Sequence, residues 1–243
     1  MKVYIPTIGR VDRQVTLAAL PERWKERTWL IQQNSESHTH QYFSCPVTRI
    51  AQVRQWVVEE TEGEKLLMLD DDLQFFTRTI EDPRLRRATP EEVGIALDML
   101  DSWLDERAMV GFGPVFMNQQ YRVPYIECAR VAHSFGFQRS VLRSEGIRFT
   151  DVVFSEDFHV TLSLLERGYA NRISTLNVVK QVKEGASGGI STYATTEIRE
   201  EAKQQFAALH PKTVTLYHRD VPDQFGMTLS CRIAWKRAFG VER

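Results

Sequence analysis

The stretch Lys65-Leu66-Leu67-Met68-Leu69-Asp70-Asp71-Asp72-Leu73-Gln74-Phe75-Phe76 decides how the chain folds. Its apolar run Leu66-Leu67-Met68-Leu69 predicts a short strand buried on both faces, which runs directly into three carboxylates. Adjacent acids repel, so holding them together calls for positive charge, and a hard divalent cation with oxygen ligands is a common solution. In an extended backbone Asp70 and Asp72 point to the same side and can share one ion, while Asp71 faces away or accepts backbone hydrogen bonds. The plainer reading is a solvated acidic turn after a strand. The apolar run favours the first reading, because a buried strand usually delivers its end to a cleft.

Towards the amino terminus, Thr48 can cap a helix with Ile50, Val53 and Val57 as its buried stripe and Arg49 and Arg54 towards its flanks, ending near Gly63. The opening Val3-Tyr4-Ile5-Pro6-Thr7-Ile8-Gly9-Arg10 predicts a first strand. Its exit loop either meets a ligand, with Thr7 for hydrogen bonds and Arg10 for a phosphate or base, or is an ordinary turn capped by Thr7. Residues 11–27 are polar and helical, interrupted at Pro21, and Trp29-Leu30-Ile31 is a second strand followed by a polar loop from Gln32 to Glu36. Ser37 to Val47 is loop-like, with His38 and His40 read as surface residues. Strand, helix, strand, helix, strand begins a mostly parallel sheet whose ligand crevice lies at the carboxyl ends of its strands, so Thr7, Asn34 and the aspartates converge on one edge.

At 243 residues and 42% hydrophobic content, the chain suits one α/β domain spanning 1–243. No apolar run approaches the ~20 residues that cross a bilayer, and Met1-Lys2 leads straight into a strand-like segment, which predicts a soluble, cytoplasmic protein with no membrane partner. Cys45, Cys128 and Cys231 are odd in number and widely spaced, against a disulfide framework or a thiolate zinc site. A formal net charge of -1 supplies no global field for nucleic acid, so such a partner requires a local basic patch.

Beyond the aspartates, Thr77 to Ala88 is a charged, exposed loop carrying Arg78, Arg84, Arg86 and Arg87. Thr89-Pro90-Glu91-Glu92 is a capping box opening a helix whose buried face is Val93, Ala96, Leu97, Leu100, Trp103 and Leu104. Met109-Val110-Gly111-Phe112-Gly113 predicts a strand that approaches a neighbour closely at its glycines, and His133-Ser134-Phe135-Gly136-Phe137 is placed near a substrate. Phe154-Ser155-Glu156-Asp157-Phe158 starts a helix that stops at Gly168. Acids at a helix amino end are explained by capping and dipole complementation; alternatively, Asp157 accepts the proton of an attacking hydroxyl, with partial burial raising its basicity. Gly185 to Thr192 is either a lid over a ligand or a linker to the amphipathic helix Glu197–Leu209, and Ser230–Arg243 is a closing helix.

A strand into "LLMLDDDL", preceded by a helix with Ile50-Ala51-Gln52-Val53-Arg54 and followed by "SEDFHVTLSLLERGY", resembles the GT-A fold glycosyltransferases, especially the inverting family typified by cellulose- and chitin-synthase-like enzymes. The resemblance spans about residues 3–170 and departs at Val53-Arg54-Gln55, where Ala-Arg-Asn is common. It implies a Rossmann-like, mixed but mostly parallel sheet flanked by helices, and a nucleotide-diphosphate sugar as donor. It implies Mn2+ or Mg2+ on Asp70 and Asp72, with His218 as a late third ligand or a merely structural histidine. Thr7, Arg10, Asn34, Arg54 and Asp71 would line the donor, and Asp157, beside Glu156, would be the base. The stereochemical outcome stays open, since retaining enzymes share the fold.

The opening "KVYIPTIGR" and the small size are similar, more narrowly, to phage glycosyltransferases associated with TET-type oxygenases. That resemblance implies hydroxymethylated pyrimidine in DNA as acceptor, in a host cytoplasm, with the base turned out of the helix and basic clusters Arg84/Arg86/Arg87, Arg139/Arg143/Arg148 or Lys236/Arg237 on the backbone. A saccharide or small-molecule acceptor and a non-catalytic metal- or nucleic-acid-binding module are the alternatives. A sugar-nucleotide pyrophosphorylase needs a glycine-rich first loop, and Pro6-Thr7-Ile8-Gly9-Arg10 has a single glycine. An aspartyl phosphatase carries a small hydroxyl residue or valine after its D-x-D, where this chain has Leu73.

Overall fold

The computed structural model describes residues 1–10, 13–32, 40–117, 122–182, 195–223 and 226–240. Its first half lays down β1 (Lys2–Thr7), α1 (Val15–Ala19), α2 (Glu22–Lys25), β2 (Thr28–Gln32), β3 (Tyr42–Ser44), α3 (Ile50–Glu60), β4 (Lys65–Leu69), β5 (Leu73–Thr77) and β6 (Arg86–Arg87). Then come α4 (Pro90–Trp103), β7 (Met109–Pro114), β8 (Tyr125–Glu127), β9 (Ser134–Gln138), α5 (Arg139–Ser144), α6 (Glu156–Glu166) and β10 (Asn171–Gln181). The chain closes with α7 (Thr196–Leu209), β11 (Val214–His218), β12 (Leu229–Ile233) and α8 (Trp235–Ala238).

The sheet runs β3-β2-β1-β4-β9-β7-β10-β5-β6, with β8 also on β10. β3, β2, β1 and β4 are mutually parallel, and β9 is inserted antiparallel between β4 and β7. β4 is buried on both faces, as its continuous apolar run requires. Leu66 and Met68 join Val53 and Val57 of α3 and Val160 and Leu164 of α6 on one side. Leu67 and Leu69 join Val93, Leu97 and Leu100 of α4 on the other. The result is a sheet between two helical layers, with β4 and the acids at its carboxyl end in the middle. A third apolar cluster ties Leu162 and Leu165 of α6 to Phe206, Val214 and Ala238.

Several local expectations hold. The capping box at Thr89 and Glu92 forms with both hydrogen bonds, Gly168 after α6 has φ +84°, and a Cβ on Gly111 would lie 2.5 Å from the Ser134 carbonyl oxygen. Others are corrected. The segment read as a loop from Ser37 to Val47 contains β3, which pairs with β2 through Leu30 and Tyr42. Arg49, not Thr48, occupies the N-cap of α3 and makes no side-chain cap bond. Arg54 does not flank that helix but is buried in its inner face, 6% exposed. The Thr77–Ala88 connector includes β6, and its Arg78 is buried, donating from Nε to the Thr175 carbonyl at 3.0 Å. Ser230–Arg243 is not one helix, because most of its first residues belong to β12 before the short α8. Asn34, His38 and the Gly185–Thr192 loop lie outside the described residues.

Candidate active site

The backbone does not stay extended through the acids: it turns at Asp71 and Asp72 before β5 begins. Thr16, fully buried on α1, fixes that turn. Its hydroxyl donates to the Asp70 carbonyl at 2.5 Å and accepts from the Leu73 amide at 2.8 Å, while its own amide donates to the Asp71 carbonyl at 3.1 Å. The Val182 amide adds a bond to the Asp72 carbonyl at 2.9 Å. The alternation expected for a strand therefore gives way to three separate environments.

Asp71 accepts from side chains rather than backbone. The Thr7 hydroxyl donates to it at 3.0 Å and Arg10 at 2.5 Å, and Gln14 in turn donates to Thr7 at 3.1 Å. Burial pushes the Asp71 carboxyl up to about 6 against the pull of Arg10 and Thr7. The Arg10 guanidinium also donates to Asp72 Oδ2 at 3.2 Å. The second oxygen of Asp72, Oδ1, is buried and has no hydrogen-bond partner. Burial, followed by the charge of Asp70, raises the Asp72 carboxyl.

Asp70 is committed to partners on three elements. Arg54 of α3 donates to Oδ1 at 3.0 Å, and His133 and Gln181 approach Oδ2 at 3.0 and 3.2 Å. Burial would raise its carboxyl, but the hydrogen bond with His133 and the charge of Arg54 outweigh that and hold it low. The same contact lifts the His133 imidazole against its burial. His133 is thus a member of the site that its sequence setting placed near a substrate without assigning it a partner.

Arg54 is the hub. Besides Asp70 it hydrogen-bonds Glu156, the first residue of α6, and its guanidinium lies 4.5 Å from the Phe135 ring centroid. Burial alone would depress it; Glu156, Asp70 and Asp157 together hold it charged. Glu156 is 3% exposed, and burial raises its carboxyl above the usual range despite Arg54. Asp157, half-buried beside it, accepts from the Phe158 amide at 3.0 Å. The two distant acidic stretches therefore share one arginine.

The remaining expected ligand, His218, makes its contact elsewhere than with the aspartates. His218 is exposed on β11 and contacts Thr228 at 3.4 Å. Among the described residues no three His, Cys, Asp or Glu side chains are gathered as a metal site, so a cation here would rest on fewer protein ligands.

The sequence model for TET-associated glycosyltransferases matches residues 1–189. This chain belongs to that family. Among curated proteins none matches it in sequence. Solved structures share its fold: TarS 1–349 from S. aureus, at TM-score 0.55 and 12% identity, over 87% of this chain and 66% of that one. Glucosyl-3-phosphoglycerate synthase from Mycobacterium tuberculosis in complex with Mg2+ and uridine diphosphate superposes at TM-score 0.52 and 9% identity, over 96% and 86% of the two chains. GalNAc-T7 with UDP, GalNAc and Mn2+ follows at 0.52 and 13%, over 86% and 50%. The TET-associated glycosyltransferase chain spans about two thirds of TarS 1–349, and at such identities the likeness establishes the GT-A fold alone. In this glycosyltransferase no described helix is long and apolar enough to cross a membrane.

Sequence reasoning missed Thr16, Gln14 and Gln181 among the partners of the three aspartates. Each is an uncharged residue on a segment remote from the aspartates, and only the fold brings them together.

Proposed function

We propose that this chain is a divalent-metal-dependent glycosyltransferase that moves a sugar from a nucleoside diphosphate donor to the hydroxymethyl group of a modified pyrimidine in DNA, in the cytoplasm. The observation that carries the reading is the Arg54 bridge, which gathers Asp70 and Glu156, and with Glu156 its neighbour Asp157, around one guanidinium in a member of the TET-associated glycosyltransferase family. Donor class is supported by the similar folds, which were solved with UDP, Mg2+ or Mn2+.

A cation fits the residues present. The buried Oδ1 of Asp72 accepts no hydrogen bond although Arg10 reaches the other oxygen of the same carboxylate, and a hard ion is a partner of the kind that Oδ1 lacks. Asp72 would hold the ion with the nearby charge of Asp70 behind it, leaving other positions to phosphate oxygens and water. Such an ion supplies Lewis-acid neutralisation of the departing diphosphate.

The chain's own groups do the rest. Thr7 and Arg10 immobilise Asp71, and the partly exposed Arg10 guanidinium stands where a donor phosphate or base arrives at the end of β1. Arg54 positions Asp70 and Glu156 rather than touching the donor through an open face, since its guanidinium is already engaged on both sides. Asp157, the more accessible of the two helix acids, removes the acceptor proton, and Glu156 anchors its helix turn through Arg54. Holding hydroxyl and anomeric carbon in line is the binding contribution.

The test is a thermal-shift panel of nucleoside diphosphates with and without manganese, followed by mass spectrometry of hydroxymethylpyrimidine-containing DNA incubated with the best donor. A manganese-dependent shift and a hexose-sized mass gain are expected. Slow donor hydrolysis with no DNA product would redirect the acceptor to a saccharide or small molecule.

A further inference from the structure

Among the described residues three non-glycine ones hold left-handed backbone: Cys128 at φ 52°, His133 at φ 64° and Ser155 at φ 62°. Backbone of that kind is costly for a residue with a Cβ and is retained mainly where a ligand site needs it. Cys128 and His133 bracket Arg130, and Ser155 immediately precedes Glu156-Asp157-Phe158. The two strained segments meet. The Arg130 guanidinium carbon lies 4.4 Å from the Phe158 ring centroid and 5.3 Å from that of Phe116. Trp235 packs edge-on against Phe158 at 5.6 Å, which steadies the ring from the α8 side.

Phe116, just past β7, is 54% exposed. A large ring left in water next to a cation-stacked partner is a surface that folding itself does not require. The patch also adjoins the acids: Phe158 directly follows Asp157 in the chain, and His133, three residues after Arg130, contacts Asp70.

Aromatic faces combined with local cations are how proteins hold unstacked bases and the phosphates beside them. We infer that Phe116, with Arg130 behind it, forms the subsite that takes a nucleobase of the acceptor strand next to Asp157. The inference rests on the DNA-acceptor reading above and names the side chains that deepen it. A pyrimidine turned out of its helix stacks on the open face of Phe116, and Arg130, held between two rings, supplies charge to the flanking phosphate. A saccharide would also stack on Phe116 but brings no phosphate to the Arg130 guanidinium beside it.

The test uses the full chain and fluorescence anisotropy with a labelled single-stranded oligonucleotide carrying one 5-hydroxymethylpyrimidine, compared with the same strand abasic at that position. The wild-type protein is expected to prefer the base-bearing strand by about tenfold, the scale of one base–aromatic stack. Phe116→Leu, which keeps apolar bulk without a ring, and Arg130→Gln are expected to lose most of that preference, whereas Ile95→Ser, on the exposed face of α4, keeps it. Retention of the full preference in both Phe116→Leu and Arg130→Gln overturns the subsite while leaving the DNA reading in place. Failure of the wild-type protein to bind either strand, with binding of an oligosaccharide instead, overturns the DNA reading and the subsite with it.

Discussion

Arg54 and Glu156, 102 residues apart in sequence, are hydrogen-bonded partners in the interior, and that contact locks α3 to the first turn of α6. Arg54 is the cation between Glu156 and Asp70, so its loss strands the buried Glu156 and takes one of three partners from Asp70.

The first prediction concerns that bridge. Removing one member of a buried ion pair costs about 3–5 kcal/mol because the other charge is left without compensation. Arg54→Met is expected to fall in that range by urea denaturation, and adding Glu156→Leu to it is expected to restore part of the loss. A double variant no more stable than Arg54→Met alone would show that Glu156 is not what the arginine holds.

The acids divide the work. Asp72→Asn removes the orphaned anionic oxygen and is expected to abolish the manganese-dependent part of any nucleoside diphosphate thermal shift, together with transfer. Asp157→Asn is expected to lower transfer by about 10²–10⁴-fold, the usual contribution of a general base, with that shift still present. Equal loss of nucleotide binding in both variants contradicts the division.

What the sequence made legible was what local pattern encodes. The run Leu66 to Leu69 can only be buried on both faces, Thr89 and Glu92 carry their own cap, and α6 ends where Gly168 supplies positive φ. What escaped was set by distant partners. β3 and β6 are short strands that exist because β2 and β5 offer them edges. The turn that breaks the Asp70/Asp72 alternation is imposed by Thr16, 54 residues before Asp70. Arg54 was readable as a helical arginine, but its inward orientation follows from Asp70 and Glu156 lying on the same side of α3.

Gly111 offers a stability test of the strand beside the site. A Cβ there meets the Ser134 carbonyl at 2.5 Å and Val131 Cγ1 at 2.7 Å, and the first of these is backbone that cannot swing away. Gly111→Ala should cost about 1–3 kcal/mol by overpacking, measured as a lower midpoint in urea. Because Ser134 follows His133, the same variant should also weaken nucleotide binding. An unchanged midpoint would mean that β7 and β9 separate more freely than their register implies.

The last prediction is a pH dependence located away from the aspartates. His159 on α6 contacts Asp151 at 3.2 Å and His210 at 2.9 Å, and His210 contacts Glu166 at 2.9 Å, with the Thr213 hydroxyl donating to the other Glu166 oxygen at 2.7 Å. Burial, then the neighbouring His210, lowers the His159 imidazole below its ordinary 6.5, while Asp151 pulls the other way. A histidine whose folded-state value is depressed stabilises the fold above the unfolded value, and that contribution is lost as pH falls from 6.5 through the folded one. Asp71, raised to about 6, and His133, also raised, act in the opposite sense, because the folded state holds their protons more tightly. The wild-type curve alone therefore mixes both, and the informative quantity is the difference from His159→Gln. Urea midpoints measured from pH 7.5 down to 5 should show the wild-type protein losing stability relative to His159→Gln as pH drops below 6.5. Glu166, also held low, adds a further loss only below its ordinary 4.5, outside that window. Parallel curves for the two proteins between pH 7.5 and 5 would mean that His159 takes up its proton in the folded state as readily as in the unfolded chain.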